Sequence, residues 1–512
     1  MVETDQHKYG DGGGLDARQS WNLGCIADSL SPAASFAAAM RCFLALFLLL
    51  TAAASAAEKP NIIFILADDL GWGDLGCYGN RTIRTPNLDK MARQGTLFTQ
   101  FYVNASVCSP SRCAFFTGQY PARHRIHGHY ATKEQNDSRG MSNWLEPQVP
   151  NAARLMKSAG YTTAHIGKWH LGNNSGGPPI DAYGFDFVGT SEKDGANGPG
   201  ADPFFRAKST AVFVDESLKF IEQAGDKPFY LQLWTLVPHA TLNPTPEQLK
   251  PYAHLRAGGK DFPHAAAMEI FAASVTDLDT HIGRLFAGLE KLGMDKNTLI
   301  LFSSDNGPED IHIGNAGHSG VGSAGPFRGR KRSLYEGGIR VPGIVRWPGK
   351  VPAGRIEDKA VMAGVDWLPT LCKIAAAALP ADHALDGEEV SDVLFGSSRP
   401  RTRPLMWEWR FNIAGEPFHH SPELAIRDGD WKLLMNPDRS RVELYDITKD
   451  LTQLNNVAEH QPEVVEKLSA QVTAWAKTLP EGPHDPTAGK MHSGMPGDPP
   501  RGQAKQKNAR VK

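Results

Sequence analysis

The sequence predicts an α/β sandwich built on a mostly parallel central sheet, followed by a smaller C-terminal α+β unit of antiparallel strands and a helix. Three observations carry that prediction. Asn61 to Ala67 is an unbroken apolar run, as expected of a parallel strand covered on both faces. Between residues 149 and 302, amphipathic stretches alternate with β-rich runs, the order that lays helices against a parallel sheet. Glu423 to Tyr445 instead reads as antiparallel strands joined by the turns Asp428-Gly429-Asp430 and Asn436-Pro437-Asp438, and Pro462 to Leu479 as an amphipathic helix.

Taken in order, the β-run at 61–67 ends in Asp68-Asp69-Leu70-Gly71. Thr85 and Pro86 open a short helix that Gly95 closes, and Gly95 to Val103 forms the next strand. Val149 to Ala159 is a helix stopped by Gly160, and Tyr161 to Ile166 is a strand running into Gly167-Lys168-Trp169-His170. Ser209 to Ala224 is helical, and Pro228 to Leu236 is an aromatic-rich strand leading to Val237-Pro238-His239. Ala265 to Gly293 is a long helix in which Asp277 and Asp279 read as surface charge or helix contacts. Thr298 to Phe302 is a strand ending in Ser303-Ser304-Asp305-Asn306-Gly307, and Asp366 to Ala378 is one more helix.

Length and composition bound the rest. The 512 residues allow two or three domains, and 41% hydrophobic with 21% charged residues describes an ordinary soluble globular protein. A formal net charge of −2 argues against a nucleic-acid binder, so an anionic substrate needs a local basic pocket. Met40 to Ala57 reads as a secretory signal: Met40-Arg41, the apolar run Phe43 to Leu50, then a small-residue site at Ala54-Ser55-Ala56 or Ser55-Ala56-Ala57. Residues 1–57 are therefore expected to be a leader with its start at Met40, and the protein to be exported, periplasmic or secreted. The run is too short for a stable membrane span, an N-terminal anchor being the alternative. Past the leader only Cys77, Cys108, Cys113 and Cys372 remain, too sparse for a disulfide framework and without a C-x-x-C metal pattern. Pro and Gly thicken toward Pro400, dividing 58–400 from 401–480, and the Gly/Pro/Lys-rich stretch 481–512 is expected to be disordered.

Several polar groups sit where such a fold does chemistry. Adjacent carboxylates at Asp68 and Asp69 repel unless solvent or a cation relieves them, and oxygen-only ligands favour Ca²⁺ or Mg²⁺ over zinc. An isolated Asp-Asp pair is otherwise a solvated turn. Asp305 and Asn306 offer further oxygens at a strand end, though Asp-Asn-Gly is also a common turn. In Cys108-Ser109-Pro110-Ser111-Arg112, Ser109 suits an N-cap and Pro110 a first helical position. Cys108 then falls just before a helix N-terminus, which favours an anion, with Arg112 one turn in. Lys168 and His170, two apart on an extended segment, would share a face.

Together these stretches resemble the type I sulfatases. The matching runs are C-S-P-S-R at 108–112 with Thr117-Gly118-Gln119-Tyr120-Pro121, G-K-W-H-L-G at 167–172, D-D at 68–69, S-D-N-G at 304–307, and Glu336-Gly337-Gly338. The resemblance implies an alkaline phosphatase-like sandwich and sulfate-ester hydrolysis. It implies that Cys108 is converted to formylglycine by a formylglycine-generating or sulfatase-maturating enzyme, and that the hydrated aldehyde attacks sulfur. It implies a Ca²⁺ ion, Mg²⁺ being possible, on Asp68, Asp69, modified Cys108, Asp305 and Asn306. By the same resemblance Lys168, Lys331 and Arg112 meet the sulfate, His239 (with Lys331) serves the leaving oxygen, and His170 acts as base. Leu236 and Val237 depart from the family run before His239. Export and the likeness of 314–338 to N-acetylgalactosamine-6-sulfatase-like members point to sulfated glycans, with His127, His129, His312, His318, Trp407, Trp409 and Arg410 as candidates for a sugar subsite. Two alternatives are a phosphate mono- or diester hydrolase of the same superfamily and a sulfoglycan-binding pseudoenzyme. The second would be marked by loss of a metal or nucleophile residue, and none is missing.

Overall fold

The computed structural model describes residues 59–490 apart from 173–175, 192–201, 257–265 and 315. The expected leader, 1–57, lies outside the described residues. Strand β1 (Asn61–Ala67) explains its own unbroken apolar run. Ile62, Phe64 and Leu66 enter one hydrophobic cluster and Ile63, Ile65 and Ala67 another, and all six are fully buried. Each large side chain so buried is worth about 1.5–3 kcal/mol, so neither face tolerates a polar residue. Helices Cys108–Thr117, Ala152–Ser158 and Trp367–Ala375 cover the first face, and helices Pro86–Gln94, Phe205–Ala224 and Ala267–Lys291 the second.

Eight more strands complete the central sheet: β2 (Thr96–Tyr102), β3 (Thr162–Gly167), β4 (Phe187–Ser191), β5 (Phe229–Trp234), β6 (Thr298–Ser304), β7 (Arg340–Arg346), β8 (Arg355–Glu357) and β9 (Met362–Ala363). Their order is β4-β3-β5-β1-β6-β7-β2-β8, with β9 beside β2, and only β7 runs against its neighbours. The register places the functional edge. Ala67 lies opposite Ser304, Leu66 opposite Trp234, and Gly167 opposite Trp234. Four parallel strands therefore finish on one line, and the residues that follow them (Asp68-Asp69, Asp305-Asn306, Lys168 and His239) emerge where open α/β sheets bind ligands.

Local signals were reassigned by packing. Thr85 stands at the N-cap but its side chain caps no helix N–H; its hydroxyl accepts the Gly76 N–H and donates to Asp89 Oδ1, and Asp279 accepts the N–H groups of Asn87 and Leu88 at 3.1 and 2.8 Å. Asp279 is thus a buried helix contact rather than surface charge. Gly95 does not close its helix through a left-handed turn. Its φ is −144°, and a Cβ there would lie 2.1 Å from the Val345 carbonyl oxygen, so close approach to β7 is what requires glycine.

The C-terminal sheet holds β10 (Leu405–Glu408), β11 (Leu424–Asp428), β12 (Trp431–Met435) and β13 (Val442–Asp446), all antiparallel. β10 was not legible as a strand because it spans four residues between Pro404 and Trp409. Helix Pro462–Ala476 packs on this sheet through Val465, Leu468 and Val472. One hydrophobic cluster runs from Phe64 to Leu433 and Val472, and the Trp407 indole donates to the Val103 carbonyl, so packing is continuous across residue 400. Residues 481–490 are seated on this unit: Ala488 is buried, the Asp485 N–H donates to the Arg410 carbonyl, and Asn436 donates to that of Gly489. Cys77, Cys108, Cys113 and Cys372 are free thiols. Among the described residues no helix is long and apolar enough to cross a membrane.

Candidate active site

Cys108 is the first residue of its helix, with Val107 in extended geometry before it. The helix therefore starts two residues earlier than a Ser109 cap with Pro110 at the first helical position predicts. Ser109 bonds elsewhere: its hydroxyl accepts the Tyr130 N–H at 3.0 Å. The Tyr130 carbonyl in turn accepts from Nε2 of His170 at 2.9 Å, which puts a proton on Nε2 and leaves Nδ1 as the basic nitrogen of the neutral ring. Helix and histidine are thus tied through one backbone unit. His170 has φ 52° and lies beyond the end of β3, so strand alternation does not govern its direction, contrary to the expected shared face with Lys168.

Arg112 is fully buried and turns to the carboxylates rather than to an open anion pocket. Nε and Nη2 donate to Asp305 Oδ2 at 3.0 and 2.7 Å, Nη1 donates to the Lys168 carbonyl, and Nη2 lies 3.8 Å from Asp68 Oδ1. Around it Asp68, Asp69, Asp305 and Asn306 are all at most 1% exposed. Ligand atoms of Asp68, Cys108 and Asp305 lie within 4.8 Å of one another, as do those of Asp68, Asp69 and His239. The Asp69 N–H donates to Asp305 Oδ1, and Asn306 Nδ2 donates to Asp69 Oδ1. Among the described residues Asp68 Oδ1 and Asn306 Oδ1 accept no hydrogen bond. Two buried, unpartnered oxygens among three carboxylates fit a hard cation such as Ca²⁺ or Mg²⁺.

The lysines hold the opposite charge. Lys168 Nζ donates to Asp68 Oδ2 at 2.7 Å, and Lys331 Nζ to both oxygens of Asp69 at 2.7 Å. Burial pushes the Asp68 carboxyl up, but Lys168, His239, Arg112 and Lys331 together hold it well below its usual range. Asp305 goes the other way: burial and the charge of Asp68 push it up to about 8 against Arg112. Arg112 and Lys168 therefore do not fully offset the burial of Asp305 and its repulsion by Asp68. Lys331 stays protonated because Asp69 and Glu309 outweigh its burial.

His239 donates Nδ1–H to the Ala240 carbonyl at 2.6 Å, and its Nε2 lies 3.8 Å from Asp69 Oδ2. Burial, then Lys331, hold the ring well below 6.5, although nearly a third of the side chain is exposed. Of the residues singled out in sequence, the structure gathers Asp68, Asp69, Cys108, Arg112, Lys168, His239, Asp305, Asn306 and Lys331 into one cluster. His170 attaches at one remove through Tyr130. Arg330 donates to the backbone carbonyls of Glu309, Gly320 and Gly322 rather than forming an ion pair or rim charge. Sequence reasoning missed Glu309, which accepts both ends of the Arg332 guanidinium and lies 3.8 Å from Lys331. An acid three residues past Asn306 was its one signal. Trp407 is core, and His127 is tied to Glu408, whereas His129 and Trp409 line an adjoining cavity.

Comparison with known proteins agrees with this geometry. The sulfatase family model matches residues 60–377, and a second model, the C-terminal region of N-sulphoglucosamine sulphohydrolase, matches 325–478. The chain is 32% identical over 387 residues to N-acetylgalactosamine-6-sulfatase of Canis lupus familiaris, with 69% of each chain covered. It is 32% identical over 422 residues to arylsulfatase A of Homo sapiens, covering 76% of this chain and 77% of the relative. Among solved structures, Ps i-CgsB in complex with k-i-k-neocarrahexaose matches with a TM-score of 0.68 at 25% identity, over 83% of this chain and 94% of the other.

Proposed function

The chain belongs to the sulfatase family, and on that premise we propose that it removes sulfate from a sulfated carbohydrate, using a formylglycine made from Cys108 and a divalent cation held by Asp68, Asp69, Asp305 and Asn306. The observation that carries this reading is the pair of buried oxygens on Asp68 and Asn306 that accept no hydrogen bond among the described residues, beside a cysteine at the head of a helix. A buried acceptor left without a partner costs about 1–3 kcal/mol, more when charged. Oxygen ligation of a hard cation, Ca²⁺ or Mg²⁺, offsets that cost. When bound, the two groups supply Lewis-acid polarisation of a sulfate oxygen and an oxygen nucleophile.

The remaining work falls to the chain's own residues. Asp68, Asp69, Asp305 and Glu309 face Arg112, Lys168, Lys331 and Arg332, so the cluster balances by itself and carries a positive excess once it holds a dication. That excess attracts an anionic ester. Lys168 and Lys331, anchored on Asp68 and Asp69, present fixed positive charge to sulfate oxygens as charge develops on them. Arg112 is a positioning residue, holding Asp305 and the Lys168 backbone. Lys331, which keeps its proton, is the proton source for the leaving alcohol, and the unprotonated Nε2 of His239, 3.8 Å from Asp69 Oδ2, accepts a hydrogen bond from that alcohol once it is protonated. His170, with Nδ1 as its basic atom, serves as base in restoring the aldehyde.

A carbohydrate substrate is supported by the relatives, one an N-acetylgalactosamine-6-sulfatase and another in complex with k-i-k-neocarrahexaose. The reading includes export to a periplasm or the medium and maturation by a formylglycine-generating or sulfatase-maturating enzyme. Mass spectrometry of the Cys108 peptide from an active preparation is expected to find formylglycine, and Cys108→Ala to lower aryl sulfate turnover on the order of 10⁴-fold or more. Full activity with a plain thiol would overturn the nucleophile assignment. Parallel assays on aryl phosphate test the phosphate-ester alternative, and release of sulfate from defined glycans tests the substrate class.

A further inference from the structure

A cavity of about 550 Å³ opens beside the catalytic cluster, large enough for one or two sugar rings. Its wall includes His129, Arg139, Arg332, Trp409, Phe411 and Asp485. Two of these continue directly into the site: His129 precedes Tyr130, which bonds Ser109 and His170, and Arg332 follows Lys331. Trp409 and Phe411 form an aromatic corner, their ring centroids 5.4 Å apart at 68°. Gly128 keeps that corner open, because a Cβ there would lie 2.9 Å from the Phe411 ring. Trp409 is only 4% exposed, and its indole N–H has no hydrogen-bond partner among the described residues.

The charges of the wall are unequally committed. Arg332 is spent on Glu309, with contacts of 2.6 and 3.0 Å. Asp485 is spent on backbone and hydroxyl donors, accepting from Asn412 N–H at Oδ2 and from the Thr487 N–H and hydroxyl at Oδ1. Arg139 pairs with no carboxylate among the described residues; its guanidinium carbon lies 5.9 Å from the centre of the Phe411 ring. The cationic character of the wall registers on His129, which burial, His170, Lys331, Arg139 and Arg332 hold down to about 3.

We propose that this cavity is a specificity subsite for the sugar that bears the scissile sulfate, stacking it on Phe411, which the buried Trp409 backs, and holding a second oxyanion of the substrate, a further sulfate or a uronic carboxylate, on Arg139. The inference rests on the sulfatase reading and narrows its substrate class to glycans carrying more than one negative group. Aromatic faces bind sugar rings through their apolar C–H surfaces, and a guanidinium presents a planar fork that matches sulfate or carboxylate.

Steady-state kinetics on the matured enzyme test this with 4-nitrophenyl sulfate, a singly sulfated disaccharide, its doubly sulfated counterpart, and its counterpart carrying a uronic carboxylate. The wild type is expected to prefer one or both doubly charged sugars, the two arms telling sulfate from carboxylate. Arg139→Gln should raise KM for the preferred sugar about 10–100-fold, with kcat and 4-nitrophenyl sulfate turnover unchanged, the range expected for losing a charge-assisted hydrogen bond. Arg139→Lys, which keeps the charge and guards against a folding artefact, should recover part of the loss. No preference for a second charge, or an Arg139→Gln effect equal on all substrates, overturns the subsite. Failure to hydrolyse any sulfate, 4-nitrophenyl sulfate included, is a different result that removes the sulfatase reading itself.

Discussion

Asp68 and Glu336 are both carboxylates at 0% exposure, each facing more than one cation, and they live in opposite kinds of surroundings. Around Glu336 the charges close on one another. Oε1 accepts from Lys432 at 2.7 Å, Oε2 from the Tyr102 hydroxyl at 2.5 Å and from Arg340 at 3.3 Å, and Arg427 donates to the same hydroxyl. Burial pushes Glu336 up, but Lys432, Arg340 and Arg427 bring it down to about 2. This network joins β2 and β7 of the central sheet to β11 and β12 of the C-terminal sheet, and no acceptor of Glu336 is left over. Around Asp68, among the described residues, one carboxylate oxygen has no hydrogen-bond donor, the neighbouring Asn306 oxygen has none, and Asp305 is pushed up by burial and by its neighbour's charge. A closed network serves packing. A network with acceptors left over is built to be completed by something else.

That contrast breaks if the two clusters respond alike to loss of one carboxylate. The largest effect is expected at the active site. Asp68→Ala should lower activity on the order of 10³-fold or more and remove bound cation, read by elemental analysis of the purified protein. Adding Ca²⁺ or Mg²⁺ at about 100 times Kd should stabilise the wild type by about 2.7 kcal/mol and leave Asp68→Ala unmoved. A variant that still binds the cation stoichiometrically would show that Asp68 is no ligand.

Glu336→Ala should act in the reverse sense. It strands Lys432 in the core, an effect of about 3–5 kcal/mol in chemical denaturation. The molecules that remain folded should keep kcat, since no member of this network touches the catalytic cluster. Adding Lys432→Met should recover part of the loss. A fall in kcat without a fall in stability would erase the distinction between the regions.

The smallest effect is in pH. Because the folded Glu336 sits near 2, below its ordinary 4.5, its contribution to stability is complete above about 4.5 and is lost as pH falls toward 2. Denaturation midpoints between pH 6 and 3 should therefore fall less in Glu336→Gln than in the wild type. Equal slopes would mean that the carboxylate titrates normally and that the network is not closed.

What could be read from the chain alone was whatever local pattern dictates. Largely apolar runs such as 61–67, 229–234 and 298–302 announce buried strands because hydrophobic side chains point to both faces, and the polar residues past them mark the sheet's functional edge. Cys108 could be placed at a helix start because cap and Pro preferences act within a few residues. The same signals misled where a distant partner won. Ser109 was claimed by Tyr130, Gly95 by the approach of Val345, and Thr85's capping role by Asp279. Strand β10 is too short to show a period of its own.

The sequence by itself determined strands β1, β2, β3, β5 and β6, the antiparallel stretch of β11 to β13, the helix at Cys108 and the kinds of ligand available, because periodicity and turn chemistry are properties of neighbouring residues. Tertiary structure alone decided which charges meet. The parallel register of β3, β5, β1 and β6 brings four strand ends to one line, turning Arg112 toward Asp305 and Lys331 onto Asp69. It also decided which oxygens remain unpartnered and that Arg139, far in sequence from Phe411, shares a cavity wall with it. Burial makes each of those pairings strong, since a charge out of water is costly until a partner arrives, and burial is a property of the fold rather than of any one residue.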